Sequence, residues 1–233
     1  MGALSGSVLA VEGGASNPWI NLEYLSDNWD RIVPYLGEHV RLTLISVLLG
    51  TVLALPLSVV AHRLRYAAGP ILGASTLLYT IPSLAMFAFI APITGLTPTT
   101  VIIGLVLYSL VILVRNFLAG LQSVPADVRE AARGMGYGPV QLFFKVEVPL
   151  ALPSFMTGLR VATVSTVALV TVGVIIGQGG LGQLIVVEGF RRNYFKAPIV
   201  FGTILCVLLA LLLDQILAYV ERRLTPWTQR RAT

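Results

Sequence analysis

Tyr66 to Val114 reads YAAGPILGASTLLYTIPSLAMFAFIAPITGLTPTTVIIGLVLYSLVILV, 49 residues between Arg65 and Arg115 with no ionisable group except tyrosine phenols. A helix needs about 20 apolar residues to cross the hydrocarbon core of a bilayer, so this stretch is long enough for two. Pro92, Gly95 and Pro98 supply the turn between them. A second run without charge, 27 residues long, separates Arg160 from Glu188. Of the 233 residues, 56% are hydrophobic and 12% charged, and the mean hydropathy is +0.84. Soluble domains carry about 25% charge, so too little polar surface remains here for a hydrated shell. The composition excludes an ordinary cytosolic enzyme and predicts an all-α integral membrane protein.

Working outward, hydropathy predicts five spans, at about 42–61, 70–91, 99–114, 153–176 and 198–220. Basic residues accumulate in short loops on the cytoplasmic side. With the N-terminus outside, the inner segments hold Arg63, Arg65, Arg115, Arg129, Arg133, Lys145, Arg222, Arg223, Arg230 and Arg231. The outer segments hold Arg31, Arg41, Arg191, Arg192 and Lys196. Ten against five predicts N-out and C-in. The excess of 16 Lys and Arg over 11 Asp and Glu is therefore read as topology, with membrane lipid rather than nucleic acid as the surroundings.

The chain divides into an extracytoplasmic segment 1–37, a membrane domain 38–220 and a basic cytoplasmic tail 221–233. Met1 to Ala10 lacks the basic start and long apolar run of a signal peptide. Leu22, Leu25, Trp29, Ile32, Val33 and Leu36 recur at helical spacing. An amphipathic helix at the outer interface and a loosely ordered polar tail both fit this segment, and Pro34 shortens any helix. A lone cysteine, Cys206, excludes an intrachain disulfide and a cysteine-based metal site. His39 and His62 flank the first span at opposite ends. No metal site and no catalytic residue is expected.

The segment from Arg115 to Leu152 is the longest on the predicted inner side. Ser123-Val124-Pro125-Ala126-Asp127-Val128-Arg129-Glu130-Ala131-Ala132-Arg133-Gly134 can form a short helix, opened by Pro125 with Asp127 in its first turn. Gly134, Gly136 and Gly138 then stop it. A rigid peg carrying small Ala131 and Ala132 beside Glu130 suits insertion into a partner's groove, and an ordinary interfacial loop helix has a similar composition. Glu130-Ala131-Ala132, three residues, Gly136, nine residues, then Val146-Glu147-Val148-Pro149 resembles the EAA loop of ATP-binding cassette importer permeases, E-A-A-x3-G-x9-I-x-L-P. Val146 replaces Ile and Val148 replaces Leu, both apolar exchanges. Thr80-Ile81-Pro82-Ser83-Leu84-Ala85, Met156-Thr157-Gly158-Leu159-Arg160, Gly179-Gly180-Leu181-Gly182 and Glu221-Arg222-Arg223-Leu224-Thr225-Pro226 extend the resemblance to permeases of glycine betaine, carnitine and choline importers, over about Glu38 to Pro226.

That resemblance implies the five-helix, methionine-importer-like permease fold in the plasma membrane of a prokaryote. It implies a second permease chain, identical or paralogous, two cytosolic ATPase subunits and an extracytoplasmic substrate-binding protein. It also implies a coupling helix in which Asp127, Glu130, Ala131, Ala132, Gly136 and Pro149 serve ATPase docking. The chain has no G-x4-G-K-[ST] phosphate loop, so ATP-Mg is expected on the partner ATPase, with no cofactor in this chain. The substrate implied is a quaternary-ammonium osmoprotectant; an amino acid or other small solute would share the same loop and fold. An ion-coupled secondary transporter fits less well, with one carboxylate, Asp214, inside the predicted spans and no evident inverted repeat.

Gly177-Gln178-Gly179-Gly180-Leu181-Gly182 spells G-x-G-x-x-G, but a membrane span precedes it and no acidic residue follows at about 20 positions, as a dinucleotide site would need. Gly179, Gly180 and Gly182 are instead candidates for a bend or close contact at the outer gate, as passive packing or as a moving element. Pro82 and Ser83 interrupt the second span as a candidate hinge, and Pro56 kinks the first. Arg160 and Asp214 lie at similar depth and are expected to pair, with snorkelling of Arg160 as the competing reading. Tyr79, Phe87, Phe89 and Tyr108 are candidate cation-π contacts for a quaternary ammonium.

Overall fold

The computed structural model describes residues 17–229, so the readings of Met1 to Ala10, Arg230 and Arg231 lie outside the described residues. Ten α-helices follow in order among them: α1 Leu22–Asp27, α2 Trp29–Arg63, α3 Arg65–Thr80, α4 Ser83–Thr94, α5 Pro98–Gln122, α6 Ala126–Gly134, α7 Pro139–Leu142, α8 Val148–Val170, α9 Lys196–Leu224 and α10 Pro226–Gln229. A π-turn, Phe143–Glu147, joins α7 to α8, a 3-10 turn, Thr171–Ile176, prolongs α8, and a second π segment spans Gln183–Phe190. The described residues contain no strand.

Four runs are long and apolar enough to cross a membrane: Trp29–Arg63, Pro98–Gln122, Pro139–Ile176 and Lys196–Leu224. The bent pair α3 and α4 makes a fifth if counted as one span. The predicted span 70–91, interrupted at Pro82, is two helices meeting at 96°. Pro82 forces this: the residue before a proline is driven out of the α region, and Ile81 is extended at φ −65°, ψ 127°. The Tyr108 hydroxyl on α5 donates to the Ile81 carbonyl, which meets the requirement that backbone freed within a bilayer find a partner in the protein.

The helical alternative for Leu22 to Leu36 takes a different form. The helix expected across 22–36 breaks at Asn28, and its second half is the start of α2. Pro34 falls in the second turn of α2, where its missing N–H costs one bond near a helix end and leaves the helix unbroken. At 35 residues, α2 is about 52 Å long, well beyond a bilayer core of about 30 Å. The loop 115–152 is likewise mostly helical. α5 runs on to Gln122, and the α8 run begins at Pro139.

Helix α5 is the centre of the bundle and packs on α2, α3, α4 and α8. Ala54, Leu113, Phe117, Leu121, Ala151 and Phe155 form the core of one half. Leu42, Phe87, Val101, Leu105, Val170 and Ile176 form the core of the other. Without a hydrophobic drive between helices in lipid, association relies on close packing through small residues. At Gly104 a Cβ would stand 2.6 Å from the Phe87 ring, so this glycine is what lets α4 lie against α5.

Candidate functional site

The peg is α6, nine residues with Pro125 as its cap position and Asp127 in the first turn. It ends at one residue. Gly136 adopts φ +85°, its N–H reaches the Arg133 carbonyl at 2.9 Å, and the Tyr137 N–H reaches the Ala132 carbonyl at 3.1 Å. These two bonds are the Schellman arrangement, which favours glycine at the left-handed position. Gly134 is still helical and Gly138 caps α7, so the stop expected from three glycines is made by Gly136. Ala132 is buried against the rest of the chain, whereas Asp127, Glu130 and Ala131 are exposed. The pair expected to face a partner is therefore split, with Ala131 outward and Ala132 inward, because neighbouring helical residues point about 100° apart. Exposed Val128, Met135, Val140 and Phe144 surround the peg with apolar surface.

Behind the peg, Pro149 stands in the first turn of α8, preceded by the π-turn. The Val148 N–H bonds the Phe143 carbonyl five residues back, the wide register of a π-bulge. The bulge turns Glu147 fully inward. Its Oε2 accepts a 2.7 Å bond from the Arg63 guanidinium at the end of α2, and His62 Nε2 lies 4.0 Å from Oε1. Arg63 also stacks over the Phe143 ring at 5.6 Å. This brace ties the first span to the base of the peg. The sequence carried a signal for it, a carboxylate amid apolar Val146 and Val148 and a basic cluster after the first span, but no spacing that pairs them.

At the opposite end, the glycine segment folds against α2. Gly180 has φ +50°, and a Cβ there would stand 2.6 Å from His39 Cβ. A Cβ on Gly179 would stand 2.5 Å from the Val174 nitrogen, and one on Gly182 would meet the Thr171 carbonyl. His39, fully buried, clamps this corner: Nδ1 accepts from the Leu181 N–H at 3.2 Å, so Nε2 carries the proton and donates to the Val167 carbonyl at 3.0 Å. Glu38 Oε1 accepts from the Gly179 N–H at 3.2 Å. Farther out, Glu188 accepts from Tyr24 at 2.8 Å and Tyr35 at 3.4 Å, with Arg31 3.8 Å away. Burial and the Glu188 carboxylate push the Tyr24 phenol well above its ordinary range. Sequence reasoning missed Glu38, His39 and Glu188, since each acts on backbone or side chains more than 100 residues away.

Within the bundle, Arg160 on α8 and Asp214 on α9 form a two-pronged pair, Nε to Oδ1 at 2.8 Å and Nη2 to Oδ2 at 2.9 Å. Glu221, one further group on α9 that the sequence did not single out, takes Nη1 at 3.2 Å. A cleft of about 500 Å³ between α8 and α9 opens beside the pair, lined by Thr157, Val161, Val164, Ser165 and Leu211. Of the four aromatics, Phe87 and Tyr108 are buried in packing, whereas Tyr79 and Phe89 are exposed. Ser83 opens α4 directly after the break at Pro82.

A broken helix, an outward peg braced to the first span and a glycine corner at the far end of the bundle define a multi-pass helical membrane protein of the permease class. The chain belongs to the family described as binding-protein-dependent transport system inner membrane component, which matches residues 33–226. It is 35% identical over 210 residues to the choline transport system permease protein OpuBB of Bacillus subtilis, covering 90% of this chain and 96% of that protein. It is 34% identical to the glycine betaine/carnitine/choline transport system permease protein OpuCB of the same organism, covering 88% and 94%. The osmoprotectant import permease protein OsmW of Salmonella typhimurium is also 34% identical, with 88% and 97% covered. Among solved structures, a chain of the MetNI methionine ABC transporter in an inward-facing conformation superposes with a TM-score of 0.73 at 23% identity, covering 87% of this chain and 99% of that one. A chain of an amino acid ABC transporter gives 0.72 at 18% identity, covering 88% and 99%. At such identities the likeness shows the fold, which is the methionine-importer-like one.

Proposed function

We propose that this chain is the permease subunit of an ATP-driven importer for a quaternary-ammonium osmoprotectant such as choline, glycine betaine or carnitine. It sits N-out and C-in in the inner membrane of a bacterium, beside a second permease chain, with two cytosolic ATPase subunits and an external substrate-binding protein. The single observation that carries this reading is the peg: a nine-residue helix with Asp127, Glu130 and Ala131 exposed and one left-handed glycine as its stop. The family and the relatives' names support the substrate class. The ATPases seat α6, Asp127 and Glu130 fix its register by charge, and Ala131 allows close approach. The Glu147–Arg63 brace and Pro149 carry the displacement into α2 and α8. Reversing a 1:99 population takes about 5.5 kcal/mol of differential stabilisation, and it passes through this contact. At the outer end, the corner at Gly179, Gly180 and Gly182 and the break at Pro82 and Ser83 are the gate and hinge.

The test is ATP-dependent uptake of radiolabelled choline, glycine betaine and methionine by proteoliposomes of the full transporter, with co-purification of the ATPase. Glu130 is exposed, so Glu130→Lys leaves insertion and folding intact and abolishes both ATPase retention and uptake. Gly136→Asp strains the stop and does the same. Wild-type retention and transport in both variants refutes the docking role, and transport of methionine alone refutes the substrate class. Labelling of Val128→Cys in a Cys206→Ser background by an impermeant maleimide from outside intact cells refutes the orientation.

A further inference from the structure

At the corner where α2 turns into α3, the chain builds a basic cleft that the transport reading leaves unused. The cleft has a volume of about 770 Å³ and is lined by His62, Arg63, Arg65, Gln122 and Arg129. Among the described residues, no carboxylate lines it. The neighbouring acid, Glu147, is engaged with Arg63 at 2.7 Å. Among the described residues, no carboxylate lies within 4.0 Å of Arg65 or Arg129, so two guanidiniums face the cleft without counterions. Helix α3 starts at the same place. Its cap residue, Leu64, offers no side-chain acceptor, and its first turn holds no acid.

We propose that this cleft binds a phosphate-bearing anion. Planar guanidinium forks match phosphate oxygens two at a time, and Arg65 and Arg129, both without a carboxylate partner, line one concave cleft. Residues 62–65 follow directly on the apolar run 42–61, which is the depth at which lipid phosphates lie and at which basic pockets between membrane helices take anionic headgroups. Arg129 belongs to the peg and Arg63 and Arg65 to the α2–α3 corner, so the anion bridges the peg to the first span. The same chemistry is offered by the phosphodiester of an anionic lipid and by free phosphate.

The test uses the full transporter in phosphatidylcholine nanodiscs. Phosphatidylglycerol retention is measured by native mass spectrometry across a titration of that lipid, and inorganic phosphate is tested as ligand and as competitor. The wild type is expected to hold phosphatidylglycerol at least tenfold more tightly than phosphatidylcholine. Arg65→Gln and Arg129→Gln each weaken it about tenfold, as loss of one charge-assisted contact implies. The exposed Arg191→Gln at the far end of the molecule serves as a charge-matched control and leaves binding unchanged. Lipid retention that millimolar phosphate does not displace identifies a lipid site, and phosphate binding without lipid selectivity identifies a soluble anion; both uphold the anion site. Equal retention of the two lipids together with no phosphate binding overturns it, as does an equal loss in Arg191→Gln. Loss of the ATPase in Arg65→Gln and Arg129→Gln without anion binding also overturns it and assigns the corner to a protein partner.

Discussion

Replacing Arg63 by glutamine strands a carboxylate. Glu147 has no solvent exposure, whereas the Arg63 side chain keeps 39% of its own. One oxygen of Glu147, Oε1, already has no hydrogen-bond partner, and the substitution strips the 2.7 Å bond from the other. Leaving a buried charge uncompensated costs about 3–5 kcal/mol, relieved only in part by His62 at 4.0 Å. The converse change, Glu147→Gln, leaves a guanidinium that already reaches water and loses about 1.5–3 kcal/mol for one charge-assisted bond. The two halves of one ion pair are therefore unequal, with Arg63→Gln the worse, and the double variant is more stable than Arg63→Gln alone. Equilibrium unfolding in mixed dodecyl sulfate and maltoside micelles, followed by circular dichroism, measures all three against wild type. Equal losses in the two single variants, or a double variant whose loss is the sum of both, would refute the burial asymmetry. Uptake by the same variants falls in the same order, because the brace supports the base of the peg.

Two other perturbations separate causes that the sequence alone leaves merged. Gly180→Ala suffers both strain at φ +50° and a clash 2.6 Å from His39 Cβ, whereas Gly177→Ala at φ +76° meets nothing within 4 Å. The first is expected to lose about 2–5 kcal/mol and the second about 1–2 kcal/mol in the same unfolding assay; equal losses would mean that contact with His39 is unimportant. Asp214→Asn leaves Arg160 its 3.2 Å bond to Glu221 and is expected to cost about 1–3 kcal/mol. Adding Glu221→Gln raises the cost beyond the sum of the single losses, and adding Arg160→Leu in turn recovers part of it; strict additivity across the set would refute a shared network.

Much of the architecture was legible because a bilayer imposes length and charge rules that act on sequence directly. The charge-free run 66–114, the breakers after Pro92 and the run 161–187 gave the number and approximate placement of spans. The Glu130, Ala131, Ala132 and Gly136 spacing gave the peg, and Gly136 at φ +85° gives that spacing a backbone reason. Hydropathy marks span ends at the first charged residues, whereas helices α2, α5 and α9 continue past them, α5 with Phe117 and Leu121 still in the core. Pro82 marks the interruption of the second span in the sequence but not its angle; the 96° bend also needs the Tyr108 hydroxyl to hold the freed Ile81 carbonyl.

The candidate site divides along the same line. Local backbone chemistry fixed the peg and its glycine stop, since both depend on residues within one or two turns. The brace of Glu147 on Arg63, the His39 clamp on the glycine corner and the third arm of the Arg160 network at Glu221 join residues 84, 142 and 61 positions apart. Charge, length and turn chemistry are written residue by residue, so the chain alone determined that it spans a membrane and carries a capped helical peg. Which buried charge finds which partner depends on how α2 and α8 cross α5 and how α9 packs on α8, a packing solution shared by all of them, and only the tertiary structure decided it.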